Sequence, residues 1–263
     1  MKKRSKKKNV TEFSCHTPGF AEMFPILKAE KHRRDWLDEC GKDIIKYNEE
    51  IKTCPISKLK ETSFTKGRSI ARCPGLRGFM RMGYLIPSPC DVTIETYGDG
   101  VKFEASALSP NINNMFKVTS QSGPDLNKYT SLPSNSLKSV VKIATSWNVM
   151  PSEEFVYLIM NPFYNNEPRF TVLPGLLDPY LDTQLNIFLA WNVLQGRETL
   201  KAGSILAQLI PLPRDLATPD LECRTATLKD REKFMIAANT VSLTEIRDLS
   251  KTAQVMRNVF NDK

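Results

Sequence analysis

Histidine is scarce in this chain: only His16 and His32 occur among 263 residues. Ser-His-Asp and Cys-His sites, and iron sites with two histidine ligands, all need histidine beside other reactive groups, so this scarcity disfavours them. No apolar run approaches the roughly 18 residues that a membrane-spanning helix requires. The N-terminus is charged but has no apolar stretch behind it, so it does not predict a secretory signal. We therefore expect a protein without a membrane segment, located in the cytoplasm.

Paired cysteines are also missing, since the six thiols are scattered and none forms a Cys-x-x-Cys motif. Without an export signal they are predicted to be reduced. Cys15 and His16 are neighbours, but no further ligands follow at the spacing of a zinc site. Glycine-rich dinucleotide and P-loop fingerprints are missing as well. The sequence therefore predicts no metal site and no cofactor. The six cysteines are Cys15, Cys40, Cys54, Cys73, Cys90 and Cys223.

The net charge of +8 is concentrated at the N-terminus. The rest of the chain is nearly neutral, and its 41% hydrophobic content is ordinary for a globular protein with a real core. A basic tail of this kind is predicted to be solvated and disordered, because like charges repel and nothing apolar is available to bury. Alternatively, it could neutralise phosphates and bind nucleic acid non-specifically and with strong salt dependence. The six basic residues are Lys2, Lys3, Arg4, Lys6, Lys7 and Lys8.

Helical periodicity occurs towards both ends of the chain. Apolar positions recur at helical spacing over residues 29–51, and Cys73-Pro74 is typical of the start of a short helix. Residues 229–238 predict a further helix. Ser242-Leu-Thr-Glu245 has the spacing of a capping box, which would begin another helix. The sequence thus predicts an N-terminal helical arm and C-terminal helices around a central region.

The central region alternates short apolar runs with turn signals, which favours a barrel or sandwich. Gly98-Asp99-Gly100 predicts a hairpin. Residues 109–136 are rich in Ser, Asn, Pro and Gly and predict long loops. The predicted strands are 84–86, 91–96, 101–105, 140–147, 155–160, 169–173, 185–191 and 205–212. The predicted boundaries are 1–8 for the tail, 9–83 for an N-terminal helical region, 84–215 for the barrel and 216–263 for a C-terminal helical extension.

Three consecutive motifs carry a family resemblance. Gly175-Leu-Leu-Asp178-Pro-Tyr180 is followed by an apolar strand that ends at Asn192, and then by Lys201-Ala-Gly203-Ser-Ile-Leu-Ala-Gln208-Leu. This order resembles the third and fourth motifs of the dUTPase and dCTP-deaminase superfamily, whose fold is the β-clip. The resemblance implies that Asp178 activates water, that Tyr180 stacks on the sugar or base, and that Gln208 lies near the phosphates. It also implies Mg²⁺ if the protein acts on nucleotides, and a homo-oligomer, typically a trimer.

The chain departs from that enzyme pattern at several positions. One residue rather than two separates Asp178 from Tyr180, and no glycine follows the aromatic residue. Residues 155–165, where the family has its Arg-Ser-Ser phosphate motif, contain neither arginine nor serine. Asp178-Pro179 is equally typical of a structural β-turn. Gln208 in an apolar strand is equally expected to bond a loop or a neighbouring subunit.

A broader resemblance is to a family of similar length found in phages and bacteria, which brings no established activity with it. It covers most of the chain, about residues 24–215. The matching stretches are Cys73-Pro74, Gly83-Tyr84-Leu85-Ile86-Pro87, Asp91-Val92-Thr93-Ile94-Glu95, Trp147, Asn161-Pro162, Val172-Leu173-Pro174-Gly175 and Ala207-Gln208-Leu209-Ile210-Pro211.

Together these features predict a mainly β (α+β) chain: a β-clip-like barrel with an N-terminal helical arm and C-terminal helices. The leading functional hypothesis is a non-catalytic, phage-associated binding or assembly protein with protein partners, in the host cytoplasm or virion. The alternative is an enzyme that binds or hydrolyses nucleotides in an altered pocket around Asp178, Tyr180 and Gln208. A weaker third hypothesis is a protein tethered to nucleic acid by its basic tail.

Overall fold

The computed structural model describes residues 10–15, 18–32, 34–39, 73–107, 116–121, 132–133, 135–162, 164–216, 221, 223–243, 254, 257–258 and 260. The chain divides into two compact units. The first unit combines Met1–His32 with Met82–Leu216, and the second combines Arg33–Arg81 with Ala217–Lys263. The first unit resumes at Met82, close to the boundary predicted at residue 84, and it also includes the chain up to His32.

The first unit is built from short strands that pair antiparallel throughout its described residues. The strands are β1 (Phe13–Ser14), β2 (Leu27–Lys28), β3 (Tyr84–Pro87), β4 (Val92–Tyr97), β5 (Phe103–Ala107), β6 (Lys117–Gln121), β7 (Val140–Val149), β8 (Phe155–Met160), β9 (Phe170–Val172), β10 (Gly175–Leu177), β11 (Gln184–Trp191), β12 (Gln195–Leu200) and β13 (Ile205–Pro213).

These strands form three sheets. In the first sheet the order is β1-β7-β11-β9, and β6 also pairs with β7. The second sheet has the order β10-β8-β13-β3-β2, and the third has the order β12-β4-β5. The sheets are curled and form a half-barrel, which confirms the mainly β fold class. Each strand predicted from the apolar runs is present, with ends that differ by at most two residues.

Alternation along the strands places the core between the sheets. On β11, Leu185, Ile187 and Leu189 are fully buried, because successive side chains in a strand point to opposite faces. Trp147 packs edge-on against Phe20, whose ring centroid lies 5.5 Å away. The burial of apolar side chains from all three sheets in one cluster stabilises the half-barrel.

Within the predicted N-terminal helical region, the described residues up to His32 contribute to the β unit. β1 pairs with β7, and β2 pairs with β3. A short helix, α1 (Phe20–Met23), and a 3₁₀ turn at Ala29–Lys31 complete the segment. The helix predicted over residues 29–51 does not begin at Ala29, whose backbone N–H donates to the carbonyl of Gly83. Residues 35–39 are helical, and residues 40–51 lie outside the described residues.

The second unit contains the predicted helices. α2 (Pro74–Met80) begins at the proline, as predicted, and Leu76 and Met80 are buried. The helix predicted at residues 229–238 is α3 (Leu228–Leu243). The capping box predicted at Ser242 is wrong, because Ser242 lies inside α3. The N-terminus of α3 is instead capped by Thr227 and Asp230, whose side chains each accept a hydrogen bond from the backbone N–H of the other.

Five observed strands were not predicted: β1, β2 and β10 are only two or three residues long, and β6 and β12 have polar sequences. β6 lies within residues 109–136, which predicted loops, and only Val118 of its five residues is partly buried. β12 contains Gln195, Gly196 and Arg197, and these exposed residues show no apolar alternation. Both strands exist because a neighbouring strand offers backbone hydrogen bonds along its edge. Propensity measured along one sequence does not report such pairing.

Candidate functional site

Asp178 and Tyr180 lie in the six-residue loop that joins β10 to β11. Asp178 begins a tight turn, because its carbonyl accepts from the backbone N–H groups of Leu181 (2.9 Å) and Asp182 (3.1 Å). Its side-chain Oδ1 also accepts from the backbone N–H of Tyr180 at 3.0 Å. Aspartate followed by proline favours this arrangement, since the proline φ angle suits the turn and the carboxylate satisfies a backbone donor. The backbone geometry therefore supports the interpretation of Asp178-Pro179 as a structural β-turn.

The loop is held by Arg214, which follows the last residue of β13. Arg214 Nη1 donates to Asp178 Oδ2 at 2.6 Å, and Nη2 donates to Asp178 Oδ1 at 2.9 Å. The two side chains are each about three-quarters buried. A bidentate pair of this kind fixes direction as well as distance. Both oxygens of the carboxylate that the resemblance assigned to water activation are thus bonded to a guanidinium.

Arg214 also binds the loop between β7 and β8. Its Nη2 donates to the carbonyl of Ser152 at 2.9 Å and to that of Phe155 at 3.2 Å, and Nε donates to Ser152 at 3.2 Å. The backbone N–H of Arg214 donates to the carbonyl of Glu154 at 2.9 Å. One side chain therefore ties together the end of β13, the β7–β8 loop and the β10–β11 loop.

Tyr180 stacks on the same arginine. The guanidinium carbon of Arg214 lies 4.7 Å from the centre of the Tyr180 ring, within the range of a cation–π contact. The Tyr180 side chain nevertheless remains 57% exposed. The ring that the resemblance assigned to stacking on a sugar or base thus rests with one face on the protein's own cation.

The pairing shifts the pKa values of both side chains. The hydrogen bonds from Arg214, followed by that from the Tyr180 backbone, hold the pKa of Asp178 below its usual range. In return, the Asp178 carboxylate raises the pKa of Arg214. A carboxylate stabilised in its charged form is a weaker proton acceptor than an isolated one, because efficient general bases have pKa values near the working pH. The pair therefore favours a fixed ionic contact over proton transfer.

Gln208 does not join this pair. It lies fully buried in β13, and its Nε2 donates to the carbonyl of Met82 at 2.9 Å. Gln208 is paired across the sheet with Met160 of β8, whereas Asp178 follows Leu177, which pairs with Tyr157 on the other side of β8. A strand rises about 3.3 Å per residue, and β8 lies between the two strands. The side chains of Gln208 and Asp178 are therefore well separated in the sheet. The hydrogen bond to Met82 corresponds to one alternative given by the sequence, in which Gln208 bonds a loop.

The described residues show no metal cluster and no membrane helix. They contain no group of three or more His, Cys, Asp or Glu side chains arranged to hold a metal ion. In the same parts of the chain, no helix is both long and apolar enough to cross a membrane. The four cysteines among them form no disulfide bond. The basic residues Lys2, Lys3, Arg4, Lys6, Lys7 and Lys8 lie outside the described residues, so nucleic-acid binding by the tail stays a prediction.

Sequence reasoning missed Arg214. The residue lies beyond the last family-like motif and has no partner nearby in the chain, since Asp178 is 36 residues away. The available signal was weak: an arginine placed directly after the apolar strand Ile205–Pro213, at its edge. Its partner follows only from the pairing of β10 and β13 with the two sides of β8.

The ion pair predicts how stability depends on pH. Because the folded-state pKa of Asp178 is lowered, its pairing stabilises the protein above the unfolded-state pKa of about 3.9, and this contribution is lost as the pH falls through the folded value. In thermal melts at a series of pH values from neutral to about 3, we expect Asp178→Asn to lower Tm at neutral pH and to flatten the acid limb. Arg214→Lys should give an intermediate profile, because lysine cannot form the bidentate contact. Identical acid limbs in wild type and Asp178→Asn would contradict this assignment.

Comparisons with known proteins give little further information. No protein-family model matches the chain, and no curated protein matches its sequence. Among solved structures, a mutant dUTPase from phage phi11 of S. aureus, studied for the coordination of a structural Mg(II) ion, is similar to it. The sequence identity is 16%, the similarity covers 55% of this chain and 84% of that chain, and the TM-score is 0.31. The geometry around Arg214, rather than this similarity, is therefore the basis for a functional conclusion.

Proposed function

We propose that this chain is a non-catalytic, phage-associated binding or assembly protein, in which a mainly β scaffold presents the loop after β10 to a protein partner. The observation that carries the proposal is the bidentate pair of Asp178 with Arg214. The resemblance of Gly83–Pro87 and Asp91–Glu95 to phage and bacterial proteins supports the association with phages. On this proposal the protein acts in the host cytoplasm or in the virion.

The pair supports a binding role because it occupies the carboxylate while fixing the loop. A general base must accept a proton from a water molecule held within hydrogen-bond distance. Both oxygens of Asp178 already accept from Arg214, and Oδ1 also accepts from Tyr180. Releasing Asp178 would break a contact network that also includes the carbonyls of Ser152 and Phe155. A loop fixed in this way loses little conformational entropy when a partner binds.

The surface beside the pair is suited to a protein partner. Leu176 on β10, Tyr180 and Leu181 are 58%, 57% and 88% exposed, respectively. Among the described strands, β10 is also at the edge of its sheet, so the backbone groups on one of its sides pair with no described strand. Exposed apolar and aromatic side chains that cluster on a surface are typical of interaction sites. Tyr180 combines such a side chain with a fixed position.

One observation favours the alternative, an enzyme that binds or hydrolyses nucleotides. Such an enzyme would have a cationic group within reach of Asp178, and Arg214 is such a group. A half-exposed aromatic ring beside a guanidinium is also a combination that can contact a base and a phosphate. In this alternative a nucleotide would have to displace Asp178 from Arg214 before either side chain could act. The two functions therefore differ in whether nucleotides change the stability of the protein.

The test measures the thermal stability of the purified full chain against a panel of deoxynucleotides with Mg²⁺, and follows pyrophosphate release in the same samples. A ligand that binds only the folded state raises Tm by mass action. We expect no shift and no turnover with any nucleotide. A shift or turnover that Asp178→Asn or Tyr180→Ala abolishes would overturn the non-catalytic proposal and establish the alternative.

The same preparations allow a second arm with a matched pair of variants. Leu181→Asp changes the proposed binding loop, whereas Leu221→Asp changes a residue of the second unit with the same 88% exposure. We expect Leu181→Asp to lose phage or host proteins that co-purify with the wild type, and Leu221→Asp to retain them. Equal retention by both variants would place the binding surface elsewhere.

A further inference from the structure

Arg34 is the only charged side chain that is buried among the residues that the structure describes, with 7% of its surface exposed. It directly precedes a helical stretch, residues 35–39, in the second unit. Arginine stays protonated in proteins, so a positive charge is buried here. A buried charge is costly unless an opposite charge and hydrogen bonds compensate it. Each N–H group of Arg34 is therefore expected to have a partner.

Only part of this guanidinium is bonded. Nη1 donates to the carbonyl of Met80, the last residue of α2, over 3.3 Å, which is long for such a bond. Nε and Nη2 are buried, and neither has a hydrogen-bond partner among the described residues. Burial lowers the pKa of Arg34, and no opposite charge in the described parts of the chain offsets this effect. Two adjacent donors of Arg34 thus lack an acceptor.

Arg169 in the first unit shows what such a pair of donors can hold. Its Nη1 donates to the carbonyl of Thr199 at 2.6 Å, just as Nη1 of Arg34 donates to a backbone carbonyl. Its Nε and Nη2 donate to the two carboxylate oxygens of Glu167 at 2.7 and 2.6 Å. The hydrogen bond from Glu167 raises the pKa of Arg169, whereas burial lowers that of Arg34. The two arginines therefore have the same kind of backbone contact and differ in the carboxylate.

The chemistry of the Nε–Nη2 edge indicates which ligand fits. The guanidinium is planar and presents its N–H groups in a fixed fork, which matches two oxygens of a carboxylate or a phosphate. Both nitrogens have almost no exposed surface, so the surface of a large molecule cannot reach them. A small ion can enter during local opening of the fold, which proteins undergo continually. The fitting ligand is therefore a small oxyanion.

We propose that the Nε–Nη2 edge of Arg34 binds a small free oxyanion, a phosphate or a carboxylate, through two parallel hydrogen bonds. The ion supplies the acceptors that Nε and Nη2 need and neutralises the buried charge. Because the bound ion belongs to the folded state alone, it stabilises the protein by mass action. The site lies in the second unit and is independent of the Asp178–Arg214 pair, which lies in the first.

Thermal melts of the full chain in sodium chloride, sodium phosphate and sodium acetate, at one pH and one ionic strength, test the proposal. We expect phosphate, acetate or both to raise the Tm of the wild type above its value in chloride, and the rise to grow with the logarithm of the anion concentration. Arg34→Met removes the donors and should lose the rise. Arg34→Lys keeps the charge without the planar fork and should lose most of it. No rise in the wild type would overturn the proposal.

Arg231→Met is the matched control, because Arg231 is an exposed arginine of the same unit. We expect this variant to keep the full rise in Tm. An equal rise in wild type and Arg34→Met, or an equal loss in Arg34→Met and Arg231→Met, would show that the anions act on the protein in general, and would overturn the proposal. Circular dichroism verifies that each variant is folded.

Equilibrium dialysis measures binding directly and does not depend on the stability of a variant. The probe is radiolabelled phosphate or acetate, whichever raises the Tm of the wild type more. We expect saturable binding of one ion per chain to the wild type and to Arg231→Met, and none to Arg34→Met or Arg34→Lys. Absence of saturable binding to the wild type would contradict the assignment of Arg34.

Discussion

Gly83→Ala is expected to lower the free energy of unfolding by about 3 kcal/mol, the sum of two costs. Gly83 has a φ of +68°, in the left-handed region that costs an alanine about 1–2 kcal/mol. A Cβ at this position would also overlap the backbone carbonyl oxygen of Leu209 in β13. Backbone atoms cannot move aside as a flexible side chain can, and overpacking of this kind costs about 1–3 kcal/mol. Urea denaturation followed by tryptophan fluorescence measures the loss.

Gly100→Ala is the matched control. Gly100 has a similar φ of +71°, but a Cβ there would meet no atom within 4 Å. We expect this variant to lower the free energy of unfolding by the conformational cost alone, about 1–2 kcal/mol. The difference between the two variants isolates the contact of Gly83 with β13. Equal losses would show that Leu209 yields to the new methyl group and that the close approach is not a constraint.

Gly83 illustrates how far the sequence predicts this fold. A glycine after a short apolar helix predicts the end of that helix, and α2 does end three residues earlier, at Met80. The close approach of Gly83 to Leu209 is a different matter, because it depends on the pairing of β3 with β13 across more than a hundred residues of chain. Local periodicity identifies the apolar strands, whereas the partner of each strand is a property of the whole sheet.

The candidate site likewise has one feature that the local sequence predicts and one that depends on how the strands pair. The turn at Asp178-Pro179 follows from two adjacent residues and was predictable from the sequence as one of two alternatives. The role of the Asp178 carboxylate was not predictable, because it is set by Arg214, a residue brought close only when β10 and β13 pair with β8. The family-like motif therefore contains the residues that form this turn. Its chemistry depends on a side chain outside the motif.

Substitution of Gln208 is expected to cause the second large loss of unfolding free energy, because this residue is fully buried and donates to the carbonyl of Met82. Gln208→Glu replaces the donating amide by a carboxylate oxygen opposite a carbonyl oxygen, in a place without access to solvent. Burying a charge opposite a carbonyl oxygen costs about 3–5 kcal/mol at pH 7. Gln208→Leu removes the amide without adding charge, and the lost hydrogen bond to Met82 should cost about 1–3 kcal/mol.

The loss of unfolding free energy caused by Gln208→Glu should depend on pH, whereas the loss caused by Gln208→Leu should not. Burial raises the pKa of the introduced carboxyl above its unfolded value of about 4.3, so the folded state binds the proton more tightly than the unfolded state does. The variant is therefore closest to wild type below about pH 4, where the neutral acid can donate to Met82. It becomes less stable as the pH rises towards the folded-state pKa. Unfolding free energies of wild type and both variants between pH 4 and 8 measure this difference.

The outcome bears on function as well as on stability. The family resemblance would place Gln208 near nucleotide phosphates, where a ligand and water must reach its side chain. If water cannot reach position 208, Gln208→Glu lowers the free energy of unfolding by an amount that depends on pH. Gln208 then acts by holding Met82, and through Met82 the turn before β3. If both variants lose the same free energy at every pH, water reaches the side chain. A phosphate contact at Gln208 would then regain support.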